Sequence, residues 1–250
     1  MPYGKPPGRL FARLLRSDDF GNPSGGAAVS DWSVQRRFPR YVIQLPVLQK
    51  TREPAADRAG GWTRDVSEGG ACLELAEGLC LRMPLRLLFR TDRGGIELQA
   101  QVVWVEGPRR VDGGILHGVT FTTLPFDQLQ ALRDLIRSKG QVRNAGVRVP
   151  VQISVTCKPT GSTRPAFQGL TADISRGGLL LLLPEVLPPG SRMHVRLQTP
   201  NGPLTMEGAI VWMEPPGGQA VGPPFRHGFR FTSLPWSTSL SLSLFLVEAG

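Results

Sequence analysis

Two long stretches of this chain repeat one another. Arg40-Tyr41-Val42-Ile43-Gln44-Leu45-Pro46-Val47 lines up with Arg148-Val149-Pro150-Val151-Gln152-Ile153-Ser154-Val155 at an offset of 108 residues. The same offset lays Asp65-Val66-Ser67-Glu68-Gly69-Gly70 on Asp173-Ile174-Ser175-Arg176-Gly177-Gly178, and Val102-Val103-Trp104 on Ile210-Val211-Trp212. With the offset grown to 110, His117-Gly118-Val119-Thr120-Phe121 meets His227-Gly228-Phe229-Arg230-Phe231. Four landmarks in one order at nearly one spacing define an internal duplication of a single domain. The chain of 250 residues therefore divides into a tail over 1–34, a first domain over 35–140 and a second over 141–250. The tail is rich in Gly, Pro, Ser and charge and is expected to be disordered, apart from a short basic amphipathic segment over Arg9–Arg16.

Each copy reads as short strands. The first offers 41–47, 61–65, 71–75, 85–90, 97–105 and 116–121. The second offers 149–157, 167–173, 178–183, 193–198, 204–213 and 226–232. Between them lies turn chemistry such as Asp92-Arg93-Gly94-Gly95, Pro188-Pro189-Gly190 and Asn201-Gly202. With 30 Gly and 23 Pro, few segments sustain helical periodicity. The fold class expected is all-β: two tandem six-stranded antiparallel barrels, whose closure removes exposed edges. The first ends in a helix opened by Pro125, with Phe126, Leu129, Leu132, Leu135 and Ile136 on one face. That helix is expected across a barrel mouth or against the second domain. In the second copy, Leu240-Ser241-Leu242-Ser243-Leu244 alternates with period two and leaves helix or strand open.

Composition excludes several functions. Three cysteines (Cys72, Cys80, Cys157) without a CxxC pair point to reduced thiols and a cytosolic setting, and away from a zinc site. No apolar run reaches the roughly 18 residues of a membrane span, and the basic N-terminus lacks a signal-peptide core. No phosphate-binding loop, dinucleotide fingerprint or metal-ligand spacing occurs. His117 and His227 recur without a repeated acid or nucleophile, His194 has no counterpart, and Trp104 and Trp212 read as core or barrel-mouth residues. No catalytic residue is expected. The formal charge of +9 comes almost wholly from arginine, since lysine stands only at 5, 50, 139 and 158.

Two patterns carry the functional reading. Asp65-x-Ser67-x-x-Gly70 lies between two strands, where Asp and Ser bond their own backbone and Gly takes strained turns. Just ahead of the first strand stands Arg36-x-x-x-Arg40, two guanidinium groups roughly 13 Å apart along extended backbone. Each can donate to guanine O6 and N7, stack on a purine or clamp a phosphate.

Together with the late-strand Trp and the Gly-x-x-Phe strand before a helix, these motifs resemble the PilZ family, over roughly 35–139 and, more loosely, 143–250. The resemblance implies a six-stranded barrel that binds cyclic di-GMP as a ligand, with no other cofactor, in a bacterial cytoplasmic setting. It implies guanine and phosphate contacts from Arg36 and Arg40, polar contacts from Asp65 and Ser67, and close backbone approach at Gly70. Arg37, between the motif arginines, is added here as a further phosphate contact.

The second copy departs from that pattern. Asn144 stands where Arg36 stands in the first, and the nearest upstream arginine, Arg143, lies one position early with respect to Arg148. A one-residue slip in extended chain turns a side chain to the other side. Arg143, Arg148, Asp173, Ser175 and Gly178 are thus expected to form a weaker second site or none, leaving this copy as a docking or dimerising barrel.

Three functions follow in order. The first is a cyclic di-GMP receptor that changes how its domains or a protein partner dock. The second is a ligand-independent interaction adaptor. Well behind stands a basic small-barrel nucleic-acid binder, for want of an exposed aromatic platform.

Overall fold

The structure is a computed structural model that describes residues 37–50, 60–107, 113–141, 145–161, 163–214 and 223–249. The tail over 1–34, Arg36 and Arg143 lie outside the described residues.

In the first copy the elements are β1 (Ile43–Gln44), β2 (Pro46–Lys50), β3 (Gly60–Ser67), β4 (Gly70–Leu75), β5 (Pro84–Thr91), β6 (Gly94–Glu106), β7 (Ile115–Thr123) and α1 (Phe126–Lys139). The second has β8 (Ala145–Gly146), β9 (Val149–Pro150), β10 (Ser154–Pro159), β11 (Phe167–Ser175), β12 (Gly178–Leu183), β13 (Arg192–Thr199), β14 (Gly202–Met213), β15 (Phe225–Ser233) and α2 (Trp236–Glu248). Strands β2-β3-β4-β7-β6-β5 close into one barrel. Strands β10-β13-β14-β15-β12-β11 close into the other through the β10–β11 pairing, with β9 added on β11. All barrel pairings are antiparallel, as expected. Two-residue hairpin turns fall where the turn chemistry placed them, with Gly94 and Gly202 at φ +134° and +107°.

The expected first strand of each copy is broken. Tyr41 makes an isolated bridge to Val66, β1 turns aside to pair in parallel with β8, and only β2 enters the barrel. Likewise 149–157 separates into β9 and β10. One threonine per copy accounts for the break. The Thr63 hydroxyl donates to the Ile43 carbonyl (2.6 Å) and accepts from the Leu45 N–H (2.8 Å). The Thr171 hydroxyl does the same toward the Val151 carbonyl and the Ile153 N–H. A side chain thus takes the place of a ladder bond where the strand bends.

Helix α1 packs on its own barrel, with Leu132 and Leu135 buried in that core and Ile136 against it. Phe126, expected on the buried face, is 75% exposed because it sits at the helix's first turn, beyond the wall. The ambiguous 240–244 segment is helical. Its buried positions Ser239, Leu242, Ser243 and Leu246 follow the three-four spacing of a helix face, hidden in the sequence because two of them are serines.

Helix α2 does not repeat α1's placement. Leu242, Phe245 and Leu246 join the second barrel's core, and the opposite side lies on β2 and β3 of the first barrel. The Trp62 indole N–H donates to the Ser239 carbonyl (3.0 Å), and a Cβ on Gly60 would overlap Leu244. Small residues on both sides let helix and wall meet closely. From Arg37 onward the described residues form one compact unit.

Candidate functional site on the β3–β4 hairpin

The hairpin that carries the first Asp-x-Ser-x-x-Gly motif owes its shape to four residues. Ser67 and Gly70 close a two-residue turn, and the buried Ser67 hydroxyl donates to the Gly70 carbonyl (3.0 Å). A Cβ on Gly70 would strike the Val119 carbonyl oxygen of β7, so the close approach this glycine permits is that of the neighbouring strand. A β-bulge between Thr63 and Asp65 twists the strand locally, while inward-facing Val66 sits in the core and leaves its neighbour Asp65 on the outer wall.

Onto this hairpin folds the arginine-bearing leader. Tyr41 and Val66 exchange backbone hydrogen bonds of 2.9 Å in both directions. Phe38 covers Gly69, where a Cβ would stand 2.7 Å from its ring, and the Arg37 guanidinium lies 5.9 Å from the Phe38 ring centroid. Arg40 Nη1 donates to Asp65 Oδ1 at 2.6 Å, with both side chains roughly a quarter exposed. Tyr41 also packs on Gly140 at the end of α1, and Arg133 of α1 pairs with Glu68 in the hairpin turn (2.9 Å). Of the sequence-derived set, Arg40, Asp65, Ser67 and Gly70 thus come together, with Arg37 exposed beside them. A cleft of about 290 Å³ elsewhere on this barrel, lined by Lys50, Arg86, Glu97 and Gln128 among others, includes none of them.

Sequence reasoning missed the charges farther along the same wall. Cys72, opposite Asp65, is buried. Desolvation, reinforced by the Asp65 and Glu74 carboxylates and opposed by Arg40 and Arg64, raises its thiol to about 11. One outward step along β4, Glu74 accepts from Arg176 Nη2 at 2.7 Å, and Arg64 Nη1 approaches it at 3.6 Å. Arg176 belongs to the second copy's hairpin turn, at the position of Glu68 in the first, and its guanidinium also lies over the Trp62 ring at 5.5 Å. The second motif's turn therefore docks on the strand wall that bears the first motif. The only sequence signal was the charge reversal, Glu68 against Arg176, within otherwise matching motifs.

The second hairpin is built alike: Ser175 donates to the Gly178 carbonyl (3.1 Å), a Cβ on Gly178 would strike the Phe229 carbonyl, and Arg148 Nη1 donates to Asp173 Oδ1 (2.7 Å). Its leader differs. Gly146 stands at the position of Phe38, and β8 is held in parallel pairing on β1, with Val147 buried in the first barrel's core cluster.

The repeated histidines are structural. His117 Nδ1–H donates to the Ile115 carbonyl and Nε2 accepts from Leu79 N–H, both at 3.0 Å; His227 repeats this with Phe225 and Leu187. Burial holds both pKa values below 6.5. Trp104 and Trp212 belong to neither core cluster. They lie on the outer walls, 36% and 43% exposed, each indole laid on the glycine opposite, Gly118 or Gly228. Bulges just before each tryptophan re-aim the side chain outward. Among the described residues no three His, Cys, Asp or Glu side chains gather as a metal site, and no helix is long and apolar enough to cross a membrane.

The chain matches the PilZ domain family twice, over residues 34–138 and 141–242. It belongs to that family, as a tandem of two PilZ domains. No curated protein matches it. Among solved structures it is similar to Borreliella burgdorferi PlzA in complex with c-di-GMP, at 14% identity over 86% of this chain and 97% of that one, with a TM-score of 0.37. It is similar also to the PilZ domain of Escherichia coli YcgR with c-di-GMP, at 17% identity over 42% and 90%, TM-score 0.37. A third likeness is to the K. pneumonia MrkH–c-di-GMP complex, at 12% identity over 82% and 86%, TM-score 0.35. The family assignment rests on the two matched stretches.

Proposed function

We propose that this protein is a cyclic di-GMP receptor, not an enzyme, in which the first barrel takes the ligand and the second serves as its docking body. Arg36, Arg37 and Arg40 supply guanidinium groups to guanine edges and phosphates. The Asp65 carboxylate accepts from a guanine N–H edge, and Ser67 and Gly70 hold the hairpin to which these groups converge. The observation that carries this reading is the leader folded onto the hairpin, with the Tyr41–Val66 bridge and the Arg40–Asp65 pair at 2.6 Å. That pair is partly exposed, so a ligand reaches it from solvent and replaces a carboxylate–guanidinium contact by one contact to each partner. Membership in the PilZ family supports the same ligand. The bacterial cytoplasm is the setting that ligand implies.

The second site, from Arg143, Arg148, Asp173, Ser175 and Gly178, stays empty in this proposal. Its leader is held as β8 on β1, and its turn residue Arg176 is engaged with Glu74. Coupling to a protein partner runs along the β3–β4 wall: Asp65 binds ligand, its neighbour Arg64 approaches Glu74, and Glu74 holds the second barrel.

Calorimetric titration of the full chain with cyclic di-GMP tests this. One saturable site at micromolar ligand is expected. Hydrogen bonds to charged groups contribute about 1.5–3 kcal/mol, so Arg40→Ala weakens binding about 10- to 100-fold, and Arg148→Ala leaves it unchanged. Absence of saturable binding would leave the ligand-independent adaptor as the better account.

A further inference from the structure

The outer wall of the second barrel carries four arginines at positions where the first barrel has none. Trp212 on β14 stands opposite Gly228 on β15 and lies over it, with 43% of its surface open. Along β15, Phe229 points into the core, so Arg226, Gly228 and Arg230 point outward. The two arginines therefore flank the tryptophan's register position, roughly 6.7 Å to either side at the rise of a strand. Arg230 is opposite Ala209, which is opposite Arg192 on β13, so two guanidinium groups face each other across a methyl group. Arg196 follows outward on β13, opposite Thr156 and Thr205, and Lys158 of β10 is opposite His194.

Few carboxylates answer these cations. Glu207 faces His194 (3.4 Å) and Glu214 stands 3.8 Å from Arg226. Arg192, Arg196 and Arg230 are exposed and have no carboxylate partner among the described residues. In the first barrel the positions of Arg192, Arg196, Arg226 and Arg230 hold Pro84, Leu88, Leu116 and Thr120, while Lys158 and His194 are matched by Lys50 and Arg86, and the tryptophan-on-glycine arrangement is repeated there by Trp104 and Gly118.

We infer that this wall binds single-stranded nucleic acid, one base stacking on Trp212 and successive phosphates passing over Arg226, Arg230, Arg192 and Arg196. An open aromatic face within a cationic groove is how sequence-tolerant single-strand binders work, whereas a duplex presents no free base face. The cations extend over four adjacent strands, β10-β13-β14-β15, about 14 Å at strand spacing, which suits a chain of phosphates better than a mononucleotide. This inference is independent of the motif residues on the first barrel.

Fluorescence anisotropy of an end-labelled 12-nucleotide single-stranded oligonucleotide, titrated with the full chain at several salt concentrations, tests it. Saturable binding that weakens with salt is expected. Arg226→Gln with Arg230→Gln lowers affinity at least about tenfold and reduces the log–log salt slope by about 1.4, roughly 0.7 for each lost phosphate contact. Trp212→Leu costs about tenfold, within the range for one stacked base, while Trp212→Phe, which keeps a ring over Gly228, retains most of the affinity and the wild-type melting temperature. Trp104→Phe has no effect. The inference is overturned if no saturable binding appears at low salt, or if the arginine and leucine variants bind like wild type. It is also overturned if a duplex of the same sequence binds more tightly, or if stoichiometric cyclic di-GMP displaces the strand.

Discussion

The two hairpins of the duplicated motif share a backbone and differ in what their turns touch. In the first, Glu68 reaches Arg133 on the barrel's own helix, a pair open to solvent on both sides. In the second, the equivalent Arg176 leaves its own barrel for Glu74, whose side chain is 9% exposed, and stacks on buried Trp62. The receiving wall is asymmetric as well. The positions matching Trp62 and Glu74 are Leu170, which is 37% exposed, and half-buried Leu182. One charge reversal in a repeated turn thus separates the two, one hairpin pairing with its own barrel's helix and the other becoming a joint.

The largest expected break of this comparison is Glu74→Ala. It strands Arg176, whose Nη1 already lacks a partner, and removal of one member of a largely desolvated ion pair costs about 3–5 kcal/mol. Thermal or urea unfolding measures it, and a loss below about 1 kcal/mol would show that Arg176 is no joint. The histidines sharpen the likeness between copies. Their folded pKa values lie below the ordinary 6.5, so the neutral form stabilises the fold, fully above pH 6.5 and progressively less as pH falls toward the folded value. Each contributes a slope of at most about 1.4 kcal/mol per pH unit. Stability measured from pH 7.5 to 5 should fall, and His227→Gln should make that fall shallower. Smallest is Glu68→Ala. Loss of its exposed pair with Arg133 should cost under about 1 kcal/mol by the same unfolding assay, and parity with Glu74→Ala would erase the distinction between the hairpins.

The duplication, both hairpins and helix α1 were legible because they depend on local chemistry: Gly at turns, Pro ahead of a helix, alternation along strands. The convergence of Arg40 with Asp65 was legible as pairing of motifs, though not as a salt bridge. Three features were hidden because tertiary contacts decide them. The break in each first strand depends on Thr63 or Thr171, residues that look ordinary within a strand. The helicity of 240–244 depends on serines at buried positions, which erase the apolar stripe. The outward lie of Trp104 and Trp212 depends on a glycine in the neighbouring strand and a bulge beside it, neither of which hydropathy reports.

Trp62 waits on a residue 177 positions downstream for the acceptor of its indole N–H. During synthesis, strands β2 to β7 can pair long before α2 leaves the ribosome, so the newborn first barrel presents an aromatic wall to water until the last helix arrives. Its maturation is therefore tied to completion of its twin, and the pair ripens together.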